Sequence, residues 1–221
     1  MLEAVLYDLD GLMVDTEPLH QRASELALEP YGRKYEEIPE ALRKSVYGKR
    51  AVDVASILTG GLGLPVSAAQ WSEERNTIFL GLIEHGIDLM PGLLDSIGLF
   101  ERRGLRRAVV SSGDSRYVRR ILELTGLSRR FEAVITGDDV ARGKPDPQCY
   151  LLGARSLGVV PERCLVLEDA LAGVTAARAA GMKVIGVANR FNGRFDGADL
   201  VLESLAGIDD LLISRLETSC A

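Results

Sequence analysis

Short apolar runs that end in small or acidic residues, alternating with helical stretches, constrain this chain more than any other feature. Ala108-Val109-Val110 ends at Ser111, Cys164-Leu165-Val166-Leu167 ends at Glu168-Asp169, and Ala4 to Leu9 ends among acids. Ala133-Val134-Ile135, Val184-Ile185-Gly186-Val187 and a shorter Leu200-Val201-Leu202 complete the set. Runs this short and this continuously apolar read as strands buried on both faces. Helices fill the gaps. Pro91 starts one that stops near Gly104, with Leu93, Ile97 and Phe100 on one face. The next carries Val118, Ile121, Leu122 and Thr125 and stops at Gly126. A third has Asp146 as N-cap and Pro147 in its first turn, and buries Tyr150, Leu151, Ala154 and Leu157. A fourth follows Asp169 and carries Leu171, Val174 and Ala177. Such alternation predicts βαβ units, hence an α/β fold with a mostly parallel sheet covered on both faces.

Residues 16–86 differ, with no convincing strand. Leu19, Ala23, Leu26 and Ala27 fall at helical spacing, as do Ala51, Val54, Ala55 and Leu58, and Trp71 to Glu84 reads as another helix. The expected organisation is an α/β core of residues 1–15 and 87–221, with a helical cap, 16–86, inserted after the first strand. Val14 to Thr16 and Gly86 to Gly92 would be the two hinges. Ligands of open α/β sheets bind beyond the carboxyl ends of the strands, so this insert would hang over the site.

Bulk properties exclude some functions. A net charge of -6 makes the chain a poor general binder of nucleic acid, which needs a basic surface. The arginine doublets at 102–103, 106–107, 119–120 and 129–130 read as solvated surface. Cys149, Cys164 and Cys220 show no metal-ligand spacing; the first two read as small buried hydrophobes, which fits a reducing compartment. The N-terminus lacks a basic segment followed by a long apolar one, so it is not read as a signal peptide. No apolar run approaches the roughly 20 residues of a membrane helix. A cytoplasmic protein with no membrane partner is expected, as a monomer or small homo-oligomer.

Three polar clusters sit where strands end: Asp8-Leu9-Asp10-Gly11, Ser111-Ser112-Gly113-Asp114 and Glu168-Asp169. A fourth, Gly143-Lys144-Pro145-Asp146-Pro147, opens a helix just before the fourth strand. In a parallel sheet these ends converge on one edge. Asp8 and Asp10 repel when both are charged, so one pKa rises or a cation binds between them. With Glu168 and Asp169 they form an oxygen-rich, sulfur-free set that suits magnesium. Lys144 is not part of a P-loop, because Asp138 stands where glycine is needed and Pro145 where serine or threonine is. It reads as a fixed positive charge among the acids. Ser111 has no base, since His20 and His85 lie in no triad motif. As a donor to a phosphate oxygen it needs none, and Ser112-Gly113 leads into a helix whose first amides favour anions.

In order and spacing, Asp8-Leu9-Asp10-Gly11, Ser111, Lys144-Pro145 and Glu168-Asp169 resemble the four motifs of the haloacid dehalogenase superfamily. The strings from Asp8 to Pro18, Gly143 to Pro147 and Leu167 to Gly173 resemble its beta-phosphoglucomutase and phosphoglycolate phosphatase-like branch. The resemblance implies a Rossmann-like core with a cap, and magnesium-dependent hydrolysis of a small phosphorylated metabolite. Asp8 would attack phosphorus. Asp10 would protonate the leaving oxygen and then take a proton from water, its pKa raised by neighbouring carboxylates. Magnesium would be held by Asp8, the Asp10 backbone carbonyl and Asp169, with Glu168 close by. Ser111 and Lys144 would hold the phosphoryl group. An acid at position 10 favours phosphoryl substrates over dehalogenation, which has no alkoxide to protonate.

His20, Lys49, Arg50, Arg75 and Ser112 are the expected substrate contacts. The alternatives to a phosphatase are a beta-phosphoglucomutase-type phosphomutase and a catalytically silent binding protein on the same fold. The sugar mutases of this branch carry an arginine a few residues after a cap glycine. Counted from Gly48, that position here is Ala51.

Overall fold

The computed structural model describes residues 1–46, 49–188 and 195–218, without the side chains of residues 44 and 45. Gly48 and Cys220 lie outside the described residues. The strands are β1 (Ala4–Tyr7), β2 (Arg106–Val110), β3 (Ala133–Ile135), β4 (Cys164–Glu168), β5 (Lys183–Val187) and β6 (Leu200–Leu202). They form one sheet in the order β3-β2-β1-β4-β5-β6, with every pairing parallel. In the centre Leu6 lies level with Ala108 and Val166. Alternation along β1 sends Val5 and Tyr7 into one core cluster and Ala4 and Leu6 into another. The first is covered by α5 (Leu93–Arg102), α6 (Ser115–Leu124) and α9 (Asp210–Thr218), the second by α7 (Gln148–Leu157) and α8 (Leu171–Ala179).

Several boundaries differ from the sequence reading. β1 stops at Tyr7 rather than Leu9, because Gly11 turns the chain at φ 79° and the amides of Met13 and Val14 bond back to Leu9. α5 starts at Leu93, two residues after Pro91. Gly92 precedes it in the left-handed region, where a Cβ would meet the Ala206 backbone nitrogen at 2.1 Å. In α7 the N-cap is Pro147, while the Asp146 carboxylate accepts the amide of Gln148. Leu151 is exposed, because the neighbours Tyr150 and Ala154 take the sheet-facing stripe.

The helices α1 (Glu17–Leu28), α2 (Glu40–Ser45), α3 (Ala51–Leu62) and α4 (Ala68–Ile83) form the cap above the carboxyl edge. Their own core is built on Trp71, whose Nε1 donates to the Ala27 carbonyl at 3.2 Å. The two crossings between the layers pair with one another. Asp15 N donates to Asp88 O, Met90 N donates to Met13 O, and Val14 bridges antiparallel to Leu89. Cys149 and Cys164 are buried thiols. Arg103, Arg106, Arg120 and Arg130, from the four basic doublets, pair with acids at the surface. No helix among the described residues is long and apolar enough to cross a membrane.

Candidate active site

Asp8 follows β1 directly and is held at the sheet edge by its amide bond to Leu167 O. Lys144 Nζ donates to Asp8 Oδ1 at 2.5 Å, to Glu168 Oε1 at 2.5 Å and to Val110 O at 3.2 Å. Burial alone would lower the Lys144 pKa, but Asp8 and Glu168 outweigh it and the ammonium is held well above its ordinary value. Glu168 also accepts from the Tyr150 hydroxyl (2.7 Å) and the Ala170 amide (2.9 Å). On one side it packs directly on Gly173, where a Cβ would meet Glu168 Oε1 at 1.6 Å. Glu168 thus fixes Lys144, and Lys144 fixes Asp8. Asp8, Glu168 and Asp169 offer oxygens all within 4.8 Å of one another. Burial and then the charges of Asp8 and Glu168 push the Asp169 carboxyl well above its ordinary range. Burial, with Glu168 and Asp10 adding to it, does the same to Asp8 despite Lys144.

The Asp10 carboxylate is not part of that cluster and turns toward the cap. Oδ1 accepts from Thr16 Oγ1 (2.8 Å) and His20 Nε2 (3.3 Å); Oδ2 accepts from Ser111 Oγ (3.2 Å) and the Tyr117 hydroxyl (2.6 Å). Burial would raise its pKa, but the hydrogen bond and charge of His20, and then the hydrogen bonds of Tyr117 and Thr16, bring the net below the ordinary value. The rise expected from neighbouring carboxylates is therefore overturned by donors that the sequence does not reveal. The His20 tautomer follows from its partners. Arg75 Nη2 can only donate, so His20 Nδ1 accepts (3.1 Å) and Nε2 carries the proton. Burial lowers the His20 pKa, the hydrogen bond to Asp10 works against it and the Arg75 charge adds to it, so the net lies below the ordinary value.

A cavity between sheet edge and cap is lined by Asp8, Asp10 and Asp169 at the core end and by His20, Lys49 and Arg75 from the cap, with Ser112 beside them. Ile38, Val54 and Leu58 give its far end an apolar wall. Asp10 keeps 20 % of its side chain exposed, enough to meet a ligand. Ser111 and Lys144 are nearly closed off behind these groups. Arg75 is buried, with Nε donating to Ser24 Oγ (2.9 Å), so it backs His20 more than it presents a free fork. Arg50 is not brought to the cavity. It pairs with Asp53 and donates to the carbonyls of Val140 and Ala141, tying the cap to the core. The start of α6 is also not an open anion site, since the Asp114 carboxylate already accepts the Arg116 and Tyr117 amides. Thr16, Tyr117, Tyr150 and the cavity-lining Arg43 also belong to this site, and no sequence motif marks them. Of these, only Thr16 carried a signal, its place at the expected hinge.

A parallel α/β sheet with acids gathered at its carboxyl edge, beneath a cap inserted after β1, defines a class of hydrolase. The chain belongs to the haloacid dehalogenase-like hydrolases, whose family model matches residues 2–181. It is 35 % identical over 204 residues to hexitol phosphatase A of Escherichia coli, covering 92 % of this chain and 91 % of that protein. To the phosphorylated carbohydrates phosphatase of Thermotoga maritima it is 32 % identical over 196 residues, covering 86 % and 88 %. Among solved structures it matches a beta-phosphoglucomutase of Clostridium difficile with a TM-score of 0.87 and 25 % identity, covering 97 % of this chain and 96 % of that one.

Proposed function

We propose that this chain is a magnesium-dependent phosphatase that hydrolyses a small phosphorylated metabolite, of the sugar phosphate kind, through an aspartyl phosphate on Asp8. One observation carries the reading. Asp8, gripped by Lys144, and Asp10, gripped by four hydroxyl and imidazole donors, open onto one cavity beneath the cap. The likeness to two proteins named as phosphatases of carbohydrate or hexitol phosphates supports the substrate class. The all-oxygen group of Asp8, Glu168 and Asp169 fits a hard divalent cation. Asp8, Asp169 and the Asp10 backbone carbonyl would hold it, with Glu168 behind. When bound, magnesium supplies positive charge that offsets the phosphoryl oxygens.

In the first step an Asp8 carboxylate oxygen bonds to phosphorus and the ester P–O bond breaks. The leaving oxygen takes the proton of Asp10 and departs as the alcohol. In the second step water attacks phosphorus and gives its proton to Asp10 while the bond to Asp8 breaks, which releases inorganic phosphate and restores both side chains. The donors around Asp10 favour the anion that accepts this proton. For the first step the charge of the bound phosphate must raise its pKa. Lys144 keeps Asp8 oriented, and Ser111 and Lys144 would hold the phosphoryl oxygens. Cap contacts from His20 and Lys49 would select the alcohol, and Ala51 at the cavity wall, in place of an arginine, supports hydrolysis over mutase chemistry.

The test is release of inorganic phosphate from a panel of hexose, pentose and hexitol phosphates and from p-nitrophenyl phosphate. Turnover is expected with magnesium and none with excess chelator. Undiminished activity after chelation and dialysis would overturn the metal assignment, and no release from any ester would overturn the phosphatase.

A further inference from the structure

We infer that Tyr117 is a positioning residue for the proton-transfer step, anchoring Asp10 to the core. This rests on the phosphatase reading above, in which Asp10 is the acid and base.

The four donors to Asp10 divide by layer. Thr16 and His20, which hold Oδ1, belong to the hinge and to α1 of the cap. Ser111 and Tyr117, which hold Oδ2, stand at the end of β2 and on α6 of the core. Any motion of the cap carries the Oδ1 donors with it. Ser111 is also the group expected to turn to the phosphoryl oxygens. Tyr117 is then the core donor left on Oδ2 in either state of the cap. At 2.6 Å its hydroxyl makes the shortest of the four bonds. A phenol donating to a carboxylate at this distance is a charge-assisted bond, stronger than one between neutral groups, so it strengthens as Asp10 gives up its proton and favours that transition state over the ground state.

The backbone is built around this hydroxyl. A Cβ at Gly113 would meet Tyr117 Oη at 1.9 Å and Cζ at 2.0 Å. Only a residue without a side chain at position 113 lets the phenol reach Asp10, so Gly113 and Tyr117 act as a pair. Phe79 of α4 packs on the ring from the cap, edge to face at 5.2 Å between centroids, whereas Gly113 belongs to the core and stays with the phenol when the cap moves. Tyr117 is 6 % exposed, so water does not replace it freely. With Oδ2 occupied, Oδ1 is the oxygen left to carry the proton to the leaving group once Thr16 and His20 yield it.

The experiment compares Tyr117→Phe with the wild type on two esters: a hexose phosphate that the wild type hydrolyses, and p-nitrophenyl phosphate. The phenolate of the second leaves without needing a proton, whereas the alkoxide of the first does not. The readout is kcat/KM, which covers only the steps up to the phosphoenzyme. Tyr117→Phe is expected to lower kcat/KM for the hexose phosphate on the order of tenfold or more, part of the full worth of general acid catalysis. For p-nitrophenyl phosphate the change should stay within about twofold, since that step does not draw on general acid catalysis. Gly113→Ala, which pushes the hydroxyl away, should show the same split. Equal losses on both esters, or none, in a Tyr117→Phe protein with an unchanged melting temperature would overturn the inference. A wild type that cleaves neither ester would instead overturn the phosphatase reading.

Discussion

Asp8 is the residue whose removal says most. Asn keeps its shape but cannot attack phosphorus. Asp8→Asn is expected to lower turnover by at least about a thousandfold, as for other nucleophiles of covalent mechanisms. Its fold should persist, because Lys144 keeps Glu168 and the Val110 carbonyl as partners. Initial rates with phosphate esters and a thermal melt check both; more than a few per cent of residual rate would remove Asp8 from its role. Asp8 and Asp169 are legible in the sequence because they directly follow strands, where a parallel sheet gathers polar groups, and Lys144 because it stands in the Gly143 to Pro147 string ahead of a helix. Tyr117 and Tyr150 are not. Each lies on a helix stripe that reads as core, and each ring is indeed packed there, but the hydroxyl finds a carboxylate from a distant segment. The Asp10 pKa lies below its ordinary value rather than above it for the same reason: the neighbouring acids are visible in the sequence, but that His20, Tyr117 and Thr16 all donate to this carboxylate is not.

At the scale of elements, the cap meets the core along α4 and α6. Glu73 pairs with Arg116, Asn76 Nδ2 donates to Asp114 Oδ2 at 2.8 Å, Phe79 packs on Tyr117, and Glu84 pairs with Arg120. The outer ion pairs are exposed and screened, so Glu73→Gln should leave the melting temperature nearly unchanged. Asn76 is only 9 % exposed, and its partner Asp114 also caps α6. Asn76→Asp sets two carboxylates against each other there. It is expected to separate cap from core, seen as faster amide exchange on the facing sides of α4 and α6 and a larger radius of gyration in solution scattering. An unchanged exchange pattern and radius would show that this contact does not hold the layers together. Helical periodicity in residues 51–58 and 71–84 anticipated α3 and α4, but their pairing with the core was hidden. The partners are surface-type residues, and sequence periodicity marks only what is apolar.

At the scale of the molecule, the question is where the phosphoryl group goes after Asp8. A mutase must shield its phosphoenzyme from water and seat a bisphosphate in two orientations, which demands a second anion site in the cap. Arg50 is spent on Asp53 and the Val140 and Ala141 carbonyls, and Arg75 on His20 and Ser24. Ala51 lines the cavity where the sugar mutases of this branch carry an arginine. Lys49 and Arg43 also line it; a lysine does not reproduce a bidentate grip, so a second anion site would have to rest on Arg43, whose Nε is buried with no hydrogen-bond partner among the described residues. Hydrolysis is therefore the expected outcome, despite the close structural likeness to a beta-phosphoglucomutase. The deciding assay offers beta-glucose 1-phosphate with a trace of glucose 1,6-bisphosphate as primer. Steady release of inorganic phosphate, insensitive to the primer and without glucose 6-phosphate, is predicted. Rapid primer-dependent formation of glucose 6-phosphate with little phosphate released would reverse the assignment, and Lys49→Ala with Arg43→Ala would then be expected to abolish the primer effect while sparing hydrolysis of p-nitrophenyl phosphate.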